Sequence, residues 1–443
     1  MMAQDMTKGN PWRLILLFAI PLVIGNIFQQ LYSMVDTIIV GRFVSVEALA
    51  AVGSTGAINF LVIGFVMGIS SGFAVITAQK FGAGDEEGVR RSVATSIILC
   101  ILTTVLTTTL SIVTVKPLLK LMNTPDNIMQ DATVYISIIY MGIGATMYYN
   151  MIASILRALG DSKTPLYFLL LSSGLNIVLD LLFIINFKMG VAGAAYATVI
   201  SQLIAAILCT FYTAKRYKIL ALKKEDFRWN GHFAVFHLKV GLPMALQFSV
   251  TAIGVMVIQG ALNKFGSNVI AAFTAANKVE MLVTQVFPAL GITMATYCGQ
   301  NLGANQLERI KKGVNIAVVM TLVAAVAAAL VNIFLGEYIV RLFIEHAGVE
   351  IMTNAKQYLY TVAIFYPILG VIFVYRNALQ GMGEAFFPML GGLAELVARF
   401  VVAITLPAMI GYAGICLASP MAWIAANIPL IPRYIYIMRR KKI

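Results

Sequence analysis

Charge is scarce in this 443-residue sequence, where Asp, Glu, Lys and Arg together make up 12%. A soluble chain covers its surface with about a quarter of its residues charged, so a set of aqueous domains is excluded. Histidine is rarer still: His232, His237 and His346 all fall outside the long apolar runs. The four cysteines (Cys100, Cys209, Cys298, Cys416) lie inside apolar stretches with no pair at zinc spacing, as buried small hydrophobes do. No GxxxxGK[ST] or HExxH string occurs. ATP-driven pumping by this chain alone is therefore not expected, and an ion gradient is the natural energy source. After Lys8 and Arg13 no short apolar segment ends in a small-residue cleavage site. The N-terminus reads as a first span and not as a signal peptide.

What the chain has instead is apolar length. Hydrophobic residues make up 60%, and mean hydropathy is +0.87. A spanning helix takes about 20 apolar residues, so twelve spans would absorb most of that share. Runs of sufficient length fall at about 14–38, 47–78, 89–114, 131–155, 164–186, 190–213, 240–262, 268–298, 311–335, 354–378, 386–408 and 412–436. Net charge is +13, from 32 Lys+Arg against 19 Asp+Glu. The basic residues sit in short loops, so orientation in a membrane explains them and nucleic-acid binding is not needed. With Lys8 in the cytoplasm, only Arg42, Lys116, Lys120, Lys188, Lys264, Arg341 and Lys356 fall outside, while Lys278 and Arg399 fall within spans. This asymmetry predicts a multi-pass cell-membrane protein with both termini cytoplasmic.

The longest polar stretch, about 215–239, divides six spans from six. It predicts an N-lobe at 1–220, a basic cytoplasmic linker at 221–239 on an anionic leaflet, and a C-lobe at 240–443. The halves repeat. An offset of 221–223 residues puts Pro21 on Pro243, Gln79 on Gln300, Gly160 on Gly383 and Gly190 on Gly411. Six spans per copy give both copies one orientation. The expected fold is an all-α polytopic membrane protein of twelve transmembrane helices. They form two six-helix lobes related by a pseudo-twofold along the membrane normal, the plan of a transporter.

A charge at membrane depth is costly and needs a reason. Asp36 falls near the outer end of span 1 and Asp180 in the outer half of span 5, with Asn176 one turn earlier on the same face. Thr198 of span 6 and Tyr135 of span 4 fall at similar depth. Carboxylates with amide, hydroxyl and phenol oxygens at one level suit a proton or a hard cation such as Na⁺. The repeat places apolar residues opposite both acids, so this site belongs to one lobe. Lys278 and Glu280, two residues apart, do not face each other on a helix. Glu280 then needs another partner, either in a substrate cavity or in an inter-helix bond. Glu395 and Arg399 have the i, i+4 spacing of a local ion pair. Pro21, Pro243, Pro288 and Pro367 interrupt span interiors, as hinges or packing kinks.

Several strings carry a family resemblance. QQLYSMVDTIIVGRF (from Gln29 to Phe43) with ALAAVG after it, AQKFGAGD, RALGDSKTP, NIVLD, GVAGAAYATVISQ and YCGQNLGA are similar to multidrug and toxic compound extrusion (MATE) proteins of the prokaryotic DinF-like kind. These belong to the multidrug/oligosaccharidyl-lipid/polysaccharide exporter superfamily. The resemblance implies a two-lobed alternating-access exporter that exchanges H⁺ or Na⁺ for small, often cationic, amphipathic organic compounds. It implies a cation site at Asp36, Asn176, Asp180, Thr198 and Tyr135, the first four as ligands if the ion is Na⁺. Gln29, Lys278 and Glu280 are candidates for the substrate cavity. No cofactor beyond the transported ion is expected, and the partners are substrates and membrane lipids around a monomer. Spans 7 and 10 lack the acids of another branch, so coupling there is not expected. A flippase for lipid-linked glycans in the same superfamily would need more Arg and Lys in its cavity. A membrane-embedded transferase would need a His or paired acids at a membrane face.

Overall fold

The computed structural model describes residues 5–343 and 348–440; His346 lies outside them. Among the described residues the chain is helical throughout, with no strand. Lipid imposes this, because a spanning segment must satisfy its own backbone hydrogen bonds. Ten helices are long and apolar enough to cross a membrane, or up to twelve spans if each of two bent pairs counts as one.

The first six spans are α1 (Pro11–Phe43), α2 (Val46–Ser54) with α3 (Gly56–Gly82), α4 (Glu86–Leu121), α5 (Asp126–Met141) with α6 (Ile143–Ala158), α7 (Lys163–Leu181) and α8 (Gly190–Arg216). The second six are α9 (Gly231–Leu262), α10 (Ser267–Val283) with α11 (Val286–Gly303), α12 (Leu307–Phe343), α13 (Val349–Gly381), α14 (Phe386–Ile410), and α15 (Tyr412–Cys416) with α16 (Ala418–Arg440). The bent pairs are α5/α6, at 47°, and α10/α11, at 40°.

Local chemistry sets the ends. Ser45 caps α2 by accepting from the Ala48 N–H at 3.0 Å. Asp85 caps α4 through the Gly88 N–H at 2.7 Å and binds Lys80 at 2.9 Å. The Lys80 hydrogen bond, and then that N–H, hold the Asp85 carboxyl below its usual range. Asp161 caps α7, accepting from the N–H groups of Lys163 and Thr164, both at 3.0 Å. The repeat is visible in the backbone as well. Left-handed residues recur at matching positions: Gly84 and Asn305, Gly160 and Gly383, Gly190 and Gly411. Glycine or asparagine tolerates that conformation at a helix end, where other side chains would clash.

Helix α9 begins at Gly231 and not near 240, because Asn230 caps it by accepting from the Phe233 N–H at 3.1 Å. His232 and His237 therefore lie within a spanning helix, and the polar stretch before it is shorter than its composition suggests. His237 is fully buried, with Nε2 3.0 Å from Ser92 Oγ and Nδ1 2.9 Å from the Phe233 carbonyl. The remaining linker is not a free strand. Tyr217 donates to Asp161, and buried Asp226 lies 3.5 Å from Arg90.

The chain packs as two compact units, Ile24–Ser249 and Met6–Val23 with Val250–Ile443. The division cuts α1 after Val23 and α9 after Ser249, and so does not coincide with the linker. In the first unit, α3 meets the opening half of α9 closely. A Cβ on Gly68 would lie 2.6 Å from the Ala245 Cα.

Candidate functional site

Helix α1 presents Gln29, Tyr32 and Asp36 at i, i+3 and i+7, on one face. Helix α7 brings Asn176 and Asp180, one turn apart on its own inner face, and both are buried. Thr198 comes from α8 and buried Tyr135 from α5. All of these residues lie in the first unit.

The carboxyl groups of Asp36 and Asp180 lie within hydrogen-bonding reach of each other. Two ionised carboxylates cannot share such a contact unless a proton or a cation sits between them. Asn176 knits the rest together. With its amide nitrogen turned to the acid, it donates to Asp180 Oδ2 at 2.8 Å and to the Tyr32 hydroxyl at 3.3 Å. Its carbonyl then accepts from the Thr198 N–H at 3.1 Å and the Thr198 hydroxyl at 3.2 Å. The opposite orientation turns the amide oxygen towards the acid and the nitrogen to Thr198 Oγ1, at 3.2 Å. The first gives Asp180 Oδ2 a donor, whereas the second offers a third oxygen to a bound cation. In the second orientation the Thr198 hydroxyl accepts from Asn176 and donates to the Ala194 carbonyl at 3.0 Å, within hydrogen-bonding reach of Tyr32. Tyr135 stands within electrostatic reach of Asp36, Tyr32 and Asp180.

Among the described residues no lysine or arginine forms an ion pair with Asp36 or Asp180. The Oδ1 atoms of both acids are buried without a hydrogen-bond partner. Paired acids in apolar surroundings, with neutral donors only, have the chemistry to hold one small cation. Tyr32 is a member that the sequence reading passed over. Its signal was present, one turn before Asp36 on the same face.

The other candidates lie apart. Glu280 is buried in the second unit, where Tyr358 donates to its Oε2 and Asn277 donates to the same oxygen at 3.3 Å. Asn277 also reaches the Tyr358 hydroxyl at 3.2 Å. Lys278 is exposed on a different face of α10, and Gln29 is exposed on α1. Glu395 lies 3.4 Å from Arg399 and also binds Arg376, which is buried in α13. Sequence spacing showed only the first of these two partners.

A family model described as MatE matches residues 21–182 and 243–405, one stretch in each repeat. The chain belongs to the MatE family. This MatE protein is 30% identical over 437 residues to the probable multidrug resistance protein YpnP of Bacillus subtilis, covering 98% of this chain and 97% of that one. It is 27% identical over 379 residues to the probable multidrug resistance protein NorM of Thermotoga maritima, covering 84% and 80%. Its fold matches a solved structure titled as the outward-facing conformation of a multidrug resistance MATE family transporter of the MOP superfamily. That match has a TM-score of 0.93 at 24% identity, over all of both chains.

Proposed function

We propose that this MatE protein is a secondary antiporter of the cell membrane that exports small amphipathic organic compounds, often cationic, in exchange for H⁺ or Na⁺. The observation that carries the proposal is the Asp36–Asp180 pair, two carboxyl groups within hydrogen-bonding reach of each other, with no Lys or Arg ion-paired to either among the described residues. A site that strains for one cation binds it from the side where it is abundant. Substrate loading then competes with that cation for the same charge, which is exchange by alternating access. Gln29, two turns along α1 from Asp36, is a substrate-path candidate within the first unit in this reading, and Lys278 and Glu280 are candidates within the second. The relatives named as multidrug resistance proteins support the substrate class. The distribution of basic residues supports cytoplasmic termini.

A lipid-linked-glycan flippase is less favoured, because the buried arginines Arg376 and Arg399 are both held by Glu395 and not left for a phosphate. A membrane-embedded enzyme is less favoured because His237 is bound to Ser92 and Phe233, away from the acids. Efflux of a fluorescent organic cation from vesicles, with Na⁺ and pH gradients imposed separately, tests the proposal. One gradient should drive efflux and the other should not. Efflux that responds to neither, in a preparation holding folded protein, refutes antiport.

A further inference from the structure

The YCGQNLGA string is not used by the cation site, yet its polar residues are among the most deeply buried in the chain. Gln300 and Asn301 are both fully buried near the end of α11. They hold the segment that precedes α1. Gln300 Oε1 accepts from the Met6 N–H at 2.8 Å, and Asn301 Nδ2 donates to the Met6 carbonyl at 3.2 Å. Arg309 of α12 donates to that carbonyl twice, from Nε at 3.3 Å and Nη2 at 3.1 Å. The Met6 side chain is itself fully buried in the core of the second unit. Tyr297 braces the seat, donating to the Arg309 carbonyl at 3.1 Å while its ring faces the guanidinium. Both polar groups of the Met6 backbone are thus bound by side chains, on a segment that is not helical. Gly9, at φ +88°, then turns the chain, and Asn10 accepts from the Trp12 N–H at 3.0 Å as α1 starts.

The opening half of α1 therefore belongs to the second unit, and the half bearing Tyr32 and Asp36 belongs to the first. We propose that Gln300, Asn301 and Arg309 form a permanent clamp on Met6, and that they are positioning residues for transport. The clamp fixes one end of α1 so that a change at Asp36 is delivered to the second unit through the helix and is not lost by slippage of a loose end. It stays closed through the cycle, so that no slack develops at Met6. The inference rests on the antiporter reading.

The test uses full-length protein in proteoliposomes. The double variant Gln300→Ala/Arg309→Gln should lower gradient-driven efflux at least about tenfold while the ion-binding midpoint at the Asp36–Asp180 site stays within about twofold. Arg309→Lys, which keeps one donor for the Met6 carbonyl, should restore most of the rate. Normal efflux in the double variant overturns the proposal. So does a parallel loss of efflux and ion binding, which marks a merely structural role. A second measurement needs no transport. With Cys100, Cys209, Cys298 and Cys416 replaced, Met6→Cys should resist a thiol reagent equally with and without an ion gradient. Labelling that accelerates several-fold under the gradient shows the segment leaving its seat and refutes a permanent clamp. If the antiporter reading itself fails, the unmutated protein shows no gradient-driven efflux, an outcome distinct from any of these.

Discussion

Replacing Asp36 by asparagine removes one of two carboxyl groups in contact and leaves shape and hydrogen-bonding capacity nearly unchanged. At an effective dielectric constant of about 20, two unit charges about 4 Å apart repel by about 4 kcal/mol. In the proposed site that repulsion would favour a bound H⁺ or Na⁺ between Asp36 and Asp180, since the cation abolishes it. At about 1.4 kcal/mol per factor of ten, losing it weakens ion binding by roughly three orders of magnitude. Asp36→Asn should therefore bring gradient-driven efflux down to the level of empty vesicles. The fold should not suffer, because the new amide donates to Asp180 and one buried charge has gone. The assay pairs efflux of a fluorescent cation with thermal unfolding of the purified variant. Full efflux at normal expression would refute the reasoning. Lost efflux with an unfolding temperature lowered by many degrees would mean that Asp36 is structural.

Three other perturbations separate the parts of the account. Tyr32→Phe removes one hydroxyl beside the acids, worth about 1 kcal/mol; the ion concentration for half-maximal efflux should rise about fivefold with the maximal rate nearly kept, as a concentration series would show. Arg376→Met leaves buried Glu395 with Arg399 alone, and breaking such a pair costs about 3–5 kcal/mol; the loss should appear in thermal unfolding and be largely repaired by adding Glu395→Gln. Gly68→Val forces a side chain into the Ala245 backbone; overpacking of this kind costs about 1–3 kcal/mol or more, and folded yield in detergent should fall, whereas Gly174→Ala, with nothing near its Cβ, should be neutral.

Much of this architecture is legible in the sequence, for physical reasons. Spans reveal themselves because hydrocarbon demands long apolar runs, and acids inside those runs stand out because their cost must be repaid. Asp36, Asp180 and the one-turn spacing of Asn176 are readable on that ground. The bends are not. Neither Gly142 nor Thr284, where the two bent pairs break, differs in type from residues inside straight helices. The start of α9 is hidden because HFAVFHLK reads as polar, although one of its two histidines, His237, is buried. Partners far apart in the chain are hidden as well. Tyr358 binds Glu280 across 78 residues, Arg376 binds Glu395 from another helix, and Gln300 receives Met6 across 294. Such contacts come from tertiary packing, which carries no period or spacing. The left-handed glycines lie between these extremes: their repeat at an offset of 221–223 residues is visible in the sequence, and the backbone supplies its reason.

The central claim is that one cation and the substrate compete for the Asp36–Asp180 pair. Ion release on substrate binding tests it most directly, measured on purified protein with a pH indicator and a Na⁺-selective electrode in weakly buffered solution. About one H⁺ or Na⁺ should be released per substrate bound, and none from Asp36→Asn or Asp180→Asn. Equal release from wild type and both variants, or substrate binding with no release at all, would contradict it.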